Sequence, residues 1–224
     1  IEEGTQDGAG GDNFDPLGMG TIRGNDVCIT GNGFDEFEGE GGDDILVFSD
    51  GQDNYAGGGG FDWGSYVNDP FGVTADLFIN ARVEVAPTPS NQGIMDRFAE
   101  VEGLSGSKHA DYLRGDSDVL AHVAGSPPAL DPTLIDVGLY QGLADILPAG
   151  ATFFNSGNII LGRDGSDLRE GRGDNDILDG DRWLNVRISV RQNKDGTGPE
   201  IRSVQSMKEL GEDMLSGAIN PGQL

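Results

Sequence analysis

The chain has little of what small domains commonly use to hold themselves together or to act on substrates. It contains one cysteine, Cys28, so no internal disulfide can form. Its only histidines are His109 and His122, and these with Cys28 make a poor set for structural zinc, which takes four nitrogen or sulfur ligands. No apolar run approaches the ~18 residues of a membrane-spanning helix. Nucleotide-binding fingerprints and nucleophile elbows are also missing, so we expect no catalysis by this chain.

Basic residues are scarce as well. Only 14 Lys and Arg stand against 39 Asp and Glu, which gives a formal net charge of −25 and argues against a nucleic-acid partner. Residues 1–81 hold 17 acidic residues and a single basic one, Arg23. Such a block is usually a solvated tail, but this one also carries regularly spaced apolar residues. The composition therefore predicts a folded, acidic region that binds cations.

Glycine is abundant, with 38 residues in 224, and it recurs in register with aspartate. In the segment 1–66, five aspartates follow one another at a period of nine, each with a glycine two positions before it. The first four are followed, two positions later, by an apolar residue: Cys28, Phe37, Leu46 and Tyr55. A shorter array repeats the pattern in the segment 162–179. The alternative interpretation of the whole repeat is a solvated acidic loop region whose periodicity is accidental. The repeating aspartates are Asp26, Asp35, Asp44, Asp53 and Asp62, then Asp167 and Asp176.

The clearest units are GEGGDDILV (39–47) and GGGGFDWGS (57–65). They match the nonapeptide G-G-x-G-x-D-x-U-x, where U is a large apolar residue. The chain therefore resembles the RTX, or haemolysin-type, calcium-binding regions. This resemblance implies a mainly β fold, a parallel β-roll in which two nonapeptides form one coil and several Ca²⁺ ions staple the turns. Short helices and a C-terminal β-hairpin would pack around the roll.

The resemblance also implies the ligands. In the family an ion lies between turns n and n+2, so Asp26, Asp44 and Asp62 would line one edge, and Asp35 and Asp53 the other. Backbone carbonyls of the first, third and fifth positions would complete the shells, and Asp44 would lie between two ions. The implied ligands besides the seven aspartates are Gly39, Gly41, Asp43, Gly57, Gly59, Thr30, Asn32, Gly162, Asp164, Gly171 and Gly173.

Some units depart from the pattern. Arg169 occupies an apolar slot of the second array, which has only two good units and no evident partner two units away. A partial unit surrounds Asp111, where His109 replaces a glycine and leaves at best half a calcium site.

We divide the chain into a first array (1–66), a strand excursion with a partial repeat and a covering helix (67–156), a second array (157–182) and a C-terminal segment (183–224). The helix is predicted over 131–148, with Asp131 as N-cap. Its buried stripe would be Leu139, Leu143, Ile146 and Leu147. Alternation in 183–191 predicts a hairpin with 200–204, and Ser206 with Glu209 predicts a capping box for a short helix.

The resemblance implies a module that stays unfolded in the low-calcium cytosol, leaves through type I secretion machinery and folds outside the cell. We expect it to be a structural piece of a larger secreted protein. Residues 171–190 and 219–224 resemble the RTX region beside the haem-peroxidase domain of large secreted bacterial proteins, so a non-catalytic part of such an enzyme is one alternative. An adhesive extracellular module is another alternative, although the two Arg-Gly-Asp tripeptides, 114–116 and 172–174, are expected from the frequency of Gly-Asp in this composition.

Overall fold

A computed structural model describes residues 24–39, 41–79, 95–117, 133–155 and 157–224. The chain divides into two compact units, 1–184 and 185–224. Within the described part of the first unit, every strand is three residues long. The strands are β1 (Val27–Ile29), β2 (Glu36–Glu38), β3 (Ile45–Val47), β4 (Asn54–Ala56), β5 (Trp63–Ser65), β6 (Thr74–Asp76), β7 (Arg97–Ala99), β8 (Gly103–Ser105), β9 (Tyr112–Arg114), β10 (Ile159–Leu161), β11 (Leu168–Glu170) and β12 (Ile177–Asp179).

These strands form three parallel sheets, with the orders β1-β3-β5-β8-β10-β12, β2-β4-β7 and β6-β9-β11. In the first array Val27 lies opposite Ile45, and Ile45 opposite Trp63, so paired residues are offset by two nonapeptides. Because of this offset, alternate units enter different sheets. The prediction of a mainly β fold is confirmed, and the three sheets of the first unit are parallel.

Glycine allows the tight turns between these short strands. Gly42 and Gly60 have φ of 137° and 131°, where residues with a side chain are rare. A Cβ on Gly42 would collide with the carbonyl of Gly24, and one on Gly60 with the carbonyl of Gly42. Turns that are two nonapeptides apart in the sequence therefore lie backbone against backbone.

The middle residue of most strands enters one inner hydrophobic cluster, and this is the apolar slot of the nonapeptide. Cys28 packs at its margin, while Phe37, Leu46 and Tyr55 are buried in it. Strands outside the repeats add their middle residues in the same way. These are Ala75, Phe98, Leu104, Leu113 and Ile160.

A second cluster lies on the outer face of the six-stranded sheet, where Trp63 and Ile159 contact residues of the segment 133–155. The predicted helix over 131–148 is wrong: this segment contains only short 3₁₀ turns, Val137–Leu139 and Leu143–Asp145. Gly142 separates them with φ of 89°, which ends any helix there. Leu139 is exposed instead of buried, and Asp131 lies outside the described residues. The covering segment buries Leu134, Val137, Leu143, Leu147 and Phe154.

The unit 185–224 contains an antiparallel hairpin of β13 (Ile188–Arg191) and β14 (Glu200–Val204), as predicted, although residues 183–187 form no strand. The capping box of Ser206 and Glu209 is confirmed, and a 3₁₀ turn there leads into α1 (Gly211–Leu215). No helix in the described ranges has the length and apolar character needed to cross a bilayer.

Candidate metal centre

The repeat aspartates form rows in which each carboxylate caps the turn of the preceding coil. The backbone N–H of Asp26 donates to Oδ1 of Asp44 at 2.7 Å, and that of Asp44 donates to Oδ1 of Asp62 at 2.8 Å. A separate row joins the N–H of Asp35 to Oδ1 of Asp53 at 3.0 Å. The structure therefore brings together Asp26, Asp44 and Asp62 in one row, and Asp35 and Asp53 in another.

The second carboxylate oxygen in these rows is short of donors. Oδ2 of Asp35, Asp53 and Asp62 is buried and has no hydrogen-bond partner among the described residues. Asp53 and Asp62 have no exposed surface at all. Burying a carboxylate oxygen without a partner is costly, because the oxygen gives up its water. The rows therefore contain buried acceptor oxygens that a bound cation or a proton would satisfy.

Glycines at the first position of the unit let these oxygens approach backbone carbonyls of the next coil. A Cβ atom added to Gly39 would collide with Oδ2 of Asp44 and would lie 2.6 Å from the carbonyl oxygen of Gly57. The place of a Cβ on Gly57 lies against Oδ2 of Asp62 and the carbonyl oxygen of Glu100. We call each such space a cradle. It is bounded by a first-position glycine, the carboxylate five positions later and a backbone carbonyl of the next coil. Two acceptor oxygens converge in each of these two cradles.

The other predicted ligands are placed less uniformly. Asp43 uses Oδ1 of its carboxylate to accept from the N–H of Phe61 at 2.8 Å, so that oxygen already has a donor. Gly39, Gly41, Asp43, Gly57, Gly59 and Gly162 are buried, Thr30, Gly171 and Gly173 are half-buried, and Asn32 and Asp164 are exposed.

The rows continue through residues that the period does not reveal. The N–H of Asp53 donates to Oδ1 of Asp96 at 2.8 Å, and that of Asp62 to Oε2 of Glu102 at 2.9 Å. The sequence offsets are 43 and 40, so a search at a period of nine passes over both. Each has an apolar residue two positions later, Phe98 and Leu104, and this spacing is the signal that could have found them.

The second array finds its partners among such residues. Oδ1 of Asp167 accepts from the N–H of Asp111 at 3.1 Å, and Oδ1 of Asp111 accepts from the N–H of Val73 at 2.9 Å. Oδ1 of Asp176 accepts from the N–H of Asn158 at 2.9 Å. The partial unit around Asp111 is thus the coil that precedes the Asp167 unit.

The rows concentrate negative charge in a dry environment. Burial raises the pKa of Asp53 to about 6 and that of Asp96 to about 7. Burial, and then the charge of Glu102, raises the pKa of Asp62 well above its usual range. Burial likewise raises the pKa of Glu102. Without a cation, the folded rows therefore favour protonated carboxyl groups.

This charge predicts a pH dependence for the calcium-free chain. The folded pKa values of Asp53 and Asp96 lie above the value of about 3.9 for an unfolded Asp. Their contribution to stability is therefore complete below about pH 4 and is lost as the pH rises through 6 to 7. In calcium-depleted buffer, we expect far-UV circular dichroism to report more β structure at pH 5 than at pH 7.5. Loss of structure on this acidification would contradict the prediction.

The donor set fits a hard, oxygen-seeking cation better than a soft one. Among the described residues, no group of three or more His, Cys, Asp or Glu side chains could hold a metal ion by itself. A calcium shell of 6–8 oxygens does not require such a group, because backbone carbonyls serve as ligands.

No protein-family model, curated protein or solved structure matches the chain.

Proposed function

We propose that the first unit is a calcium-stapled parallel β-roll of the RTX type, and that the chain is a module that folds when it binds several Ca²⁺ ions. One observation carries the proposal. The buried Oδ2 of Asp62, which has no donor among the described residues, converges with the carbonyl oxygen of Glu100 in the next coil, where β4 and β7 pair in parallel.

Calcium suits these positions better than other common metals. Ca²⁺ accepts carboxylate and carbonyl oxygens in flexible geometry, whereas Mg²⁺ demands a near-ideal octahedron and keeps several waters. Zinc favours nitrogen and sulfur ligands, and the only cysteine, Cys28, packs against the inner core. The residues that would hold the ions are the repeat aspartates, with the carbonyls of the glycines beside them.

Binding and folding are linked in this proposal. Two carboxylates 4 Å apart repel by about 1 kcal/mol even at the dielectric constant of water, and by more when they are desolvated. An ion that binds only the folded form adds about 2.7 kcal/mol of stability at a hundredfold excess over its Kd. Several such ions acting on one row of coils would make folding cooperative in calcium.

The setting that fits this linkage is extracellular. Calcium modules outside cells have Kd values of roughly 10⁻⁴–10⁻³ M, so cytosolic calcium would leave the sites empty. The chain would pass unfolded through type I secretion machinery and fold outside, as a structural region of a larger exported protein with no catalysis of its own. Calcium would then supply the cross-links that disulfides give other secreted proteins.

A calcium titration tests the proposal. The full chain is stripped with chelator and titrated with Ca²⁺ from 1 µM to 10 mM, followed by far-UV circular dichroism. We expect a cooperative gain of β structure between about 0.1 and 1 mM, whereas the same titration with Mg²⁺ should produce little change. A chain that is fully folded in chelator would contradict the folding switch, and a chain that binds no Ca²⁺ would contradict the function.

A further inference from the structure

The cradle of Gly162 contains a cationic side chain, the guanidinium of Arg169. The place of a Cβ on Gly162 lies 2.5 Å from Oδ2 of Asp167 and 3.0 Å from the carbonyl oxygen of Gly180, the same pair of oxygens as in the other cradles. It also lies against a terminal guanidinium nitrogen of Arg169. That nitrogen donates to Oδ2 of Asp167 at 3.2 Å.

The equivalence of the cradles follows from the register. Gly162 and Gly180 each follow a strand of the six-stranded sheet, β10 and β12, whose residues pair at an offset of two nonapeptides. Gly39 and Gly57 follow β2 and β4, which pair at the same offset. The Asp167 side chain is 2% exposed and that of Arg169 is 23% exposed, so the guanidinium reaches inward to a buried carboxylate.

We propose that the Arg169 guanidinium replaces a calcium ion in the cradle of Gly162, so that the coil closed by Gly180 forms without metal. The inference rests on the proposed function, because it treats the cradles of the first array as calcium sites. Arg169 stands in the slot where Leu46 stands in the first array, and its positive charge neutralises Asp167 from within the chain.

In the neighbouring coils, the corresponding polar side chains form hydrogen bonds within the chain. Asp111 accepts from the N–H and the hydroxyl of Ser107, both at 2.8 Å. The position that Glu102 holds in the preceding coil of the six-stranded sheet is held by Asn158, a neutral amide. The side-chain nitrogen of Asn158 donates to the carbonyl oxygen of Glu102 at 3.3 Å. Both carboxylate oxygens of Asp111 therefore have donors within the chain, unlike Oδ2 of Asp53 and Asp62.

Two further arginines of the second array bond backbone carbonyls of other segments. Arg163 donates to the carbonyl oxygen of Val67 at 2.8 Å, and Arg172 to that of Gly115 at 2.8 Å. Both arginines have φ near 70° at the second position of their units, where the consensus has glycine. Arg172 also forms a bidentate ion pair with Asp76, with N···O distances of 2.6 and 2.9 Å. Arginine side chains therefore connect the second array to other segments through hydrogen bonds and ion pairs.

The test compares Arg169→Leu, which restores the consensus apolar residue, with the wild-type full chain. Native mass spectrometry at saturating Ca²⁺ counts bound ions, and we expect one more ion in R169L than in the wild type. In calcium-free buffer, we expect the backbone amides of Ile159–Leu161 and Ile177–Asp179 to be protected from hydrogen exchange in the wild type. In R169L we expect their protection factors to fall at least tenfold.

Two controls separate the cradle from net charge. Lys208→Leu removes a positive charge from an exposed side chain of the other unit and should leave the ion count and the protection unchanged. Arg169→Lys keeps a cation at the site and should bind as many ions as the wild type. Unchanged ion count and protection in R169L, or an added ion in K208L or R169K, would overturn the inference.

The inference and the proposed function fail differently. A wild-type chain without bound calcium would refute the function, whereas a calcium-binding wild type with an unaltered R169L would refute only the role of Arg169.

Discussion

Replacing Gly57 with alanine will strongly weaken the calcium-dependent folding of the first array, lowering its stability in calcium and raising the calcium concentration at which it folds. The new Cβ would collide with the carbonyl oxygen of Glu100 and with Oδ2 of Asp62, and it would lie 2.5 Å from Cβ of Asp62. Two of these contacts are with backbone or with atoms close to it, so neither can move away cheaply. Overpacking of this kind costs about 3 kcal/mol at the upper end of its usual range, and the methyl group would also fill a cradle meant for an ion.

The measurement is the free energy of unfolding by urea in 10 mM Ca²⁺, together with the midpoint of the calcium titration. Gly31→Ala is the matched control, because a Cβ there meets nothing within 4 Å and Gly31 has no left-handed φ. It should leave stability unchanged or raise it by about 0.4–1 kcal/mol, since alanine reduces the entropy of the unfolded chain. Equal effects of the two substitutions would show that the cradle of Gly57 plays no special part.

The second large effect is expected from Asp44→Ala. Asp44 is completely buried, its Oδ1 accepts from the N–H of Asp26, and its Oδ2 faces the cradle of Gly39. Its loss leaves the Asp26 N–H without its acceptor and removes a proposed ligand between two ions. A hydrogen bond to a charged group contributes about 1.5–3 kcal/mol, so we expect the calcium midpoint to rise roughly tenfold or more.

Asp50→Ala provides the comparison for this substitution. Asp50 belongs to the same array and has the same charge, but it is exposed. Both variants relieve the same amount of net charge, so only the place of the carboxylate distinguishes them. We expect D50A to fold at the wild-type calcium concentration or slightly below it. If D44A and D50A shift the calcium midpoint and the number of bound ions alike, the ligand role of Asp44 is wrong.

The nine-residue period predicts the first array well because the rules behind it are local. A glycine-rich turn followed by a short strand needs only neighbouring residues, and the apolar slot then falls on Phe37, Leu46 and Tyr55, all of which are buried. Which aspartates share a row is implied by the resemblance to RTX regions, and the hydrogen bonds place Asp26, Asp44 and Asp62 in one row. Whether the rows bind calcium is a separate hypothesis, and it stays a prediction.

The period fails where the partner is distant or where packing decides the local structure. Asp96 and Glu102 join the rows at sequence offsets of 43 and 40, which no fixed period reveals. The 133–155 segment has the apolar content of a helix, but Gly138 and Gly142 weaken the helix. Its apolar residues instead fit the surface around Trp63 as short turns.

The offsets between paired strands also set an order of assembly. Within the first array, the pairings of β1 with β3 and of β3 with β5 each close a loop of only two nonapeptides. The pairing of β8 with β10 joins Gly103 to Ile159, and closing this loop, roughly three times longer, costs about 1 kcal/mol more entropy. Short loops close first, so the coils of β1 to β5 form a local nucleus once their charge is neutralised. The pairing of β8 with β10, which closes the longer loop, then joins this nucleus to the β10–β12 pair, whose own loop is also only two nonapeptides long.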